Sequence, residues 1–264
     1  MPTAHVNGIE MFYDSRGSGD PLLLIMGLGA NLDWWGDDFL NTLARSYRVI
    51  AFDNRGAGRT EAPEGPYSVA QFATDTAALT DVLGIARCHV FGYSMGGMIA
   101  QELALRYPEK VNRLILGSTT CGGKENVAAA PEVLGLLAQE TKSLEEFRDN
   151  TMRILFPPEY IESHADFIVE NWQQISQHPT DRQAFMNQLM AIATWPGTYD
   201  RLPTLTVPTL VVHGTADVLV PPENGSLLAE QIPGAKLVTF DNCGHGLPAQ
   251  EPEAVLRTVL DFLS

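Results

Sequence analysis

Gly92-Tyr93-Ser94-Met95-Gly96 sets a serine between two glycines, each two positions away. This G-x-S-x-G spacing carries chemistry when a strand precedes it and a helix follows. The turn is then so tight that the serine backbone is strained and its hydroxyl is pushed into the open. Side chains at 92 and 96 would collide across such a turn, and Gly97 lets the following helix pack close to the sheet. The helix start also brings a positive dipole end near the reacting oxygen. A serine hydroxyl is a weak nucleophile and needs a base beside it, most usefully a histidine, which titrates near neutrality.

Six histidines are available: His5, His89, His164, His178, His213 and His245. His5 precedes the first strand, His89 lies inside a strand, and His164 and His178 fall in a helical region. His213 closes a strand beside Gly214 and reads as structural. His245 stands in Asp241-Asn-Cys-Gly-His-Gly246, after a strand, in a loop loosened by two glycines. It is the expected base. A carboxylate should fix its tautomer and stabilise the imidazolium. Asp217 follows the strand Leu210–Val212 through His213-Gly-Thr-Ala, which puts it at a strand's carboxyl end, and the chain order Ser, Asp, His fits. Asp241 and Asp200 are the rivals; Asp241 stands close in sequence for reaching back to His245. Acyl transfer also needs N–H donors for the developing oxyanion. The expected donors are the backbone amides of Met95, directly after the serine, and of Leu28, after Gly27 in the loop that ends an apolar strand.

The elements that must hold these groups alternate. Val6 to Tyr13, ending at Arg16-Gly-Ser-Gly-Asp20, reads as a strand and turn, or half a hairpin. Pro21 to Met26 is apolar without alternation, the pattern of a strand buried on both faces. A helix follows from about Trp34 to Ala44, then a strand Arg48–Phe52. Ser68 can cap a helix running to Leu83, with Phe72, Leu79, Val82 and Leu83 as its apolar stripe. The strand Cys88–Phe91 leads through Ser94 into a helix from Met95 to Tyr107, stopped by Pro108. Another buried strand is Leu114–Leu116. From Cys121 to about Pro203 no strand run is visible; helices are expected at 132–139, 144–155, 160–177 and 180–193. Alternation resumes with a strand at 209–212, a helix at 223–231, a strand at 236–240 and a helix at 253–263. This order predicts a mostly parallel sheet flanked by helices, with functional groups at the carboxyl ends of the strands. The expected domains are a core of residues 1–120 and 204–264 and a helical cap of residues 121–203.

Composition narrows the function classes. The chain has 264 residues, 45% of them hydrophobic and 19% charged, which suits one large folded core. Its net charge of −15 repels phosphate backbones, so nucleic acid is a poor partner. Between Cys121 and Asp200, 12 acidic residues stand against 5 basic ones, which favours a neutral substrate. No apolar run approaches the roughly 20 residues of a membrane span. The N-terminus lacks a basic region followed by an apolar one, so the expectation is a cytoplasmic protein. Cys88, Cys121 and Cys243 are odd in number and far apart, which argues against a disulfide framework or a zinc site. The oligomeric state is left open.

Leu22-Leu-Leu-Ile-Met-Gly-Leu-Gly29, Phe52-Asp-Asn-Arg-Gly-Ala-Gly-Arg59, Gly92-Tyr-Ser-Met-Gly-Gly97, Pro208-Thr-Leu-Val-Val-His-Gly-Thr-Ala-Asp217 and Gly244-His-Gly246 together resemble the α/β-hydrolase superfamily over nearly the whole chain. They look most like its esterase, enol-lactonase and cofactor-free haloperoxidase group. The resemblance implies an acyl-enzyme on Ser94, water activated by His245, and no metal or organic cofactor. Some relatives carry their acid after the strand that here ends in Leu116; the turn Gly117-Ser-Thr-Thr-Cys-Gly122 holds no carboxylate, which favours Asp217. Many relatives have His-Gly where this chain has Met26-Gly27, a histidine that supports the oxyanion loop. Arg55 lies in a turn that is structural in the family. Serine at 94 argues against the haloalkane dehalogenases, the epoxide hydrolases and the cysteine-dependent dienelactone hydrolases. The expected substrate is a small or medium neutral ester or lactone. Peracid formation and carbon–carbon bond hydrolysis are the chemical alternatives, and a ligand-binding receptor is the non-enzymatic one. Met152, Leu155, Phe156, Phe167, Trp172, Phe185, Met186, Met190 and Trp195, together with Trp34 or Trp35, are the apolar residues from which an acyl pocket would be drawn.

Overall fold

A computed structural model describes residues 2–264. Its centre is an eight-stranded sheet: β1 (Thr3–Val6), β2 (Ile9–Arg16), β3 (Pro21–Ile25), β4 (Arg48–Phe52), β5 (Cys88–Tyr93), β6 (Val111–Gly117), β7 (Thr209–Gly214) and β8 (Lys236–Phe240). The spatial order is β1-β2-β4-β3-β5-β6-β7-β8. β1 and β2 pair antiparallel, β2 joins β4 antiparallel, and every other pairing is parallel. The first strand expected from sequence is in fact a hairpin. Asn7 and Gly8 both have positive φ, 45° and 78°, so the chain reverses there and Val6 pairs with Ile9. A two-residue Asn-Gly turn of this kind suits the twist of a hairpin.

Apolar residues on β3 split between two faces. Leu23 and Ile25 pack into one core cluster with Phe72, Ile99 and Leu103; Leu22 and Leu24 pack into another with Trp35, Leu40 and Val259. Both faces are therefore covered, as an uninterrupted apolar strand requires. The flanking helices are α1 (Asp37–Leu43), α2 (Val69–Val82), α3 (Met95–Arg106), then α4 (Pro131–Ala138), α5 (Leu144–Leu155), α6 (Pro158–Ser163), α7 (Ala165–Ile175) and α8 (Arg182–Ala193) between β6 and β7, and α9 (Glu223–Gln231), α10 (Leu247–Gln250) and α11 (Pro252–Leu263). The Ser68 side chain caps α2 by accepting from the Gln71 amide. Two expected helices are each broken in two. Gly36, at φ 74°, separates a 3-10 turn (Leu32–Trp35) from α1, and His164 separates α6 from α7.

The stretch between β6 and β7 contains no strand among the described residues. Its α5 and α7 share a small core of Met152, Phe156, Ile168, Trp172 and Ile175, with Trp34 packed against it. Its far end is built into the main body: Trp195 and Leu202 belong to the larger core cluster. Here Glu102 of α3, almost wholly buried, accepts hydrogen bonds from Trp195 Nε1, Arg106 and Arg201. Burial alone would raise its carboxyl, but Arg201, Trp195 and Arg106 outweigh that and hold it down to about 2. A lowered carboxyl stabilises the fold above its unfolded pKa and stops doing so as pH falls through the folded value. Glu102→Gln is therefore expected to destabilise the protein by about 2–3 kcal/mol at pH 7. The deficit should shrink as pH falls from about 4.5 towards 2, a dependence that denaturant melts across that range would measure.

Candidate functional site

Register brings the strand ends together. Ile25 pairs with Phe52 on one side and Gly92 on the other, Tyr93 pairs with Gly117, and Gly117 pairs with Val212. The chain leaves β3 in one direction for β4 and returns past it to β5. The crevice between β3 and β5 is thus the place where strand order reverses, the usual site for ligands in such sheets.

Ser94 sits in that crevice between β5 and α3, with φ 57° and ψ −123°. Its neighbours leave no room for side chains: a Cβ at Gly92 would overlap the Gly96 carbonyl, and one at Gly96 would overlap the Ile25 carbonyl. The Ser94 amide donates to the Gly117 carbonyl (2.8 Å), and the Ser94 carbonyl accepts from the Gly97 amide (2.9 Å) and the Thr119 hydroxyl (2.7 Å). The strained backbone is thus pinned from both sides.

His245 Nε2 lies 3.0 Å from Ser94 Oγ, and His245 Nδ1 lies 2.8 Å from Asp217 Oδ2. All three expected residues meet. Asp241 and Asp200, the rival carboxylates, are not in this chain of bonds. Both His245 and Asp217 are buried. Asp217 Oδ1 accepts from the amides of Leu219 (3.0 Å) and Val220 (2.8 Å), leaving Oδ2 to face the imidazole. Burial by itself would raise the Asp217 carboxyl; the charge of His245 and the hydrogen bonds from His213 and His245 prevail and hold it at about 2. An ionised Asp217 keeps the proton on Nδ1, so Nε2 is free to accept from the Ser94 hydroxyl.

Two neighbours were not singled out as site residues by the sequence. His213, read as structural, is fully buried, donates from Nε2 to the Val220 carbonyl (2.8 Å) and holds that nitrogen 3.5 Å from Asp217 Oδ2. It braces the turn that delivers two amides to Asp217. Tyr93 is inside the motif itself; its hydroxyl donates to the His245 carbonyl (2.7 Å) and accepts from Ser118 (2.9 Å). Cys243, two residues from His245, is not a rival nucleophile: burial, then Glu251 and Asp241, push its thiol up to about 11.

The loop after β3 lies directly against the serine. A Cβ on Gly27 would stand 2.9 Å from Ser94 Cβ and 3.3 Å from Oγ. The Gly29 amide is committed to Gln188 Oε1 (2.8 Å) and the Gly97 amide to the Ser94 carbonyl. The amides of Leu28 and Met95 donate to no partner among the described residues. Phe156 packs against Gly246 and Phe185 over Gly29, so these two rings of the expected apolar set stand beside the site's loops. Others do not: Phe167 and Met190 face solvent, Trp195 is tied to Glu102, and Trp35 is core, stacked on Phe39. No helix is long and apolar enough to cross a membrane among the described residues.

Comparison with known proteins agrees with this architecture. A family model described as "alpha/beta hydrolase fold" matches residues 20–252. A relative from Azorhizobium caulinodans named "Putative carbamate hydrolase RutD" is 30% identical over 262 residues, covering 99% of this chain and 98% of that protein. The rhodomycin D methylesterase of a Streptomyces species is 30% identical, covering 98% and 97%. Among solved structures, the enol-lactonase from Burkholderia xenovorans superposes with a TM-score of 0.86 at 30% identity, covering 99% of both chains. By sequence, sheet topology and superposition alike, this chain is a hydrolase belonging to the α/β-hydrolase fold family.

Proposed function

We propose that the protein is a serine hydrolase that cleaves small to medium neutral carboxylic esters through an acyl-enzyme. The observation that carries this reading is the unbroken relay Ser94 Oγ, His245 Nε2, His245 Nδ1, Asp217 Oδ2, at 3.0 and 2.8 Å. In it Ser94 attacks the carbonyl carbon while His245 takes its proton. Asp217 stabilises the imidazolium, and the amides of Leu28 and Met95 receive the oxyanion. His245 then returns the proton to the leaving alcohol. Water, deprotonated by the same imidazole, attacks the acyl carbon and releases the acid, restoring Ser94.

The free amides of Leu28 and Met95 support their assignment, because the competing Gly29 amide is already spent on Gln188. Residues 121–203 act as the cap in this reading, with Phe156 and Phe185 as the apolar contacts nearest the reacting atoms. Apolar walls with few polar anchors suit a neutral acyl group. The methylesterase and the enol-lactonase act on open and cyclic esters by name, and in a cyclic ester the leaving oxygen stays tethered to the acyl group.

A panel of p-nitrophenyl esters from acetate to octanoate, with lactones, an aryl carbamate and peroxide-dependent halogenation alongside, tests the reading. The expected profile is turnover of short and medium neutral acyl chains at a kcat/KM at least about tenfold above that of an acyl chain bearing a carboxylate. Halogenation with no ester turnover would replace the proposal with peracid chemistry.

A further inference from the structure

The loop that carries the Leu28 amide has an unusual means of support. Its first carbonyl, of Met26, accepts from Asn54 Nδ2 (2.9 Å), and the Leu32 amide at its end donates to Asp53 Oδ1 (2.7 Å). Between them, among the described residues, only one side chain hydrogen-bonds a backbone group of Gly27–Gly29, and it comes from the helical segment. Gln188 of α8 accepts the Gly29 amide on Oε1 at 2.8 Å and donates from Nε2 to the Arg55 carbonyl at 2.9 Å. It is wholly buried and lies on the packed face of α8 with Ala184 and Ala191. Arg55 is itself fixed, its guanidinium bonded to the buried Asp75 at 2.7 Å.

Resting on the reading of Ser94 and Leu28 given above, we infer that Gln188 is the positioning residue of the oxyanion loop. Its docking from α8 turns the Leu28 amide towards the reacting carbonyl. The Ala30 amide closes a turn on the Gly27 carbonyl (3.4 Å), Gly29 takes φ 68° in it, a conformation that few other residues would share, and Gln188 holds the N–H of the peptide at the centre of that turn. With that N–H committed to Gln188, the preceding amide, of Leu28, is the one left without a partner among the described residues in the loop that lies against Ser94. An amide side chain suits the place because one end must accept and the other must donate. The consequence is that the oxyanion hole is complete only while α8 is seated on the two loops.

The test uses a fluorophosphonate, which needs no knowledge of the natural substrate. Ser94 Oγ forms a bond to phosphorus as the P–F bond breaks; fluoride leaves, the serine proton passes to His245, and the phosphoryl oxygen occupies the oxyanion position. Gln188→Leu should slow phosphonylation by at least about tenfold, with kcat for an ester falling in parallel and KM unchanged within about twofold. Gln188→Glu gives a sharper signature. A protonated carboxyl reproduces both hydrogen bonds of the amide, whereas a carboxylate cannot donate to the Arg55 carbonyl. Its rate relative to wild type should therefore fall as pH rises, and this variant carries the test if Gln188→Leu does not fold. Trp195→Phe, which removes the hydrogen bond to Glu102 and leaves both Gln188 contacts in place, should lower the thermal midpoint without changing the phosphonylation rate. A folded Gln188→Leu reacting at the wild-type rate would overturn the inference, as would a pH-independent ratio for Gln188→Glu or an equal slowing by Trp195→Phe. Labelling of Ser94→Ala as fast as wild type would instead remove the reading of Ser94, and the inference with it.

Discussion

Ser94→Ala is expected to lower kcat on any ester substrate by about 10⁴- to 10⁶-fold, with the thermal midpoint nearly unchanged. The size of the loss follows from the relay: without Oγ there is nothing for His245 Nε2 to deprotonate and no atom to form the acyl-enzyme. His245→Ala should cost a similar factor, because an unassisted hydroxyl near neutral pH is a weak nucleophile. The double variant should be scarcely worse than either single one, since residues acting as a unit are not additive. Alanine at 94 also relieves no strain, because the strain resides in the backbone at φ 57°, which the hydrogen bonds of the residue's own amide and carbonyl hold. Steady-state kinetics on the three variants, with thermal melts as controls for folding, would measure both parts. A double variant much slower than either single variant would mean that Ser94 and His245 act separately.

Asp217→Asn is expected to reduce kcat by about 10⁴-fold through a different route. Asp217 Oδ1 is held by the amides of Leu219 and Val220, so an asparagine would keep its carbonyl oxygen there. The side-chain NH2 would then replace Oδ2 and donate to His245 Nδ1. The imidazole would be locked with its proton on Nε2, facing Ser94, and could not accept the serine proton. KM should change little and the protein should fold. The prediction fails if Asp217→Asn retains more than about a hundredth of wild-type kcat, for the tautomer would then not be set by this carboxylate.

Much of this site was readable in the sequence because its chemistry is written locally. The Gly92–Gly96 turn is legible in five residues, since steric exclusion acts over two positions on either side. Asp217 and His245 follow strands whose apolar runs announce them, and register does the rest by aligning the strand ends. What is not legible in the sequence depends on contacts across the chain or on one residue in a turn. The Asn7-Gly8 reversal was hidden inside an apolar pattern that reads equally as one strand. Gly36 and His164 end helices that periodicity alone would continue. Tyr93 lies in the motif, yet its hydroxyl meets a carbonyl 152 residues away, which no local rule predicts. Gln188 carries a faint signal, one polar residue on the buried stripe Ala184, Gln188, Ala191 of α8. Its two partners lie 159 and 133 residues distant. The apolar set of the helical segment was the least decipherable, because pocket, local core and surface positions share one composition; Phe185 and Met190 stand five residues apart on α8, one over Gly29 and the other in solvent.

The most direct measurement is peptide mapping after inactivation with diethyl p-nitrophenyl phosphate. One phosphoryl group per chain on the peptide containing Ser94, appearing in step with loss of ester turnover and strongly slowed in His245→Ala, is the predicted result. Ester turnover that persists in fully labelled protein, or an adduct on a different residue that tracks the loss, would contradict it.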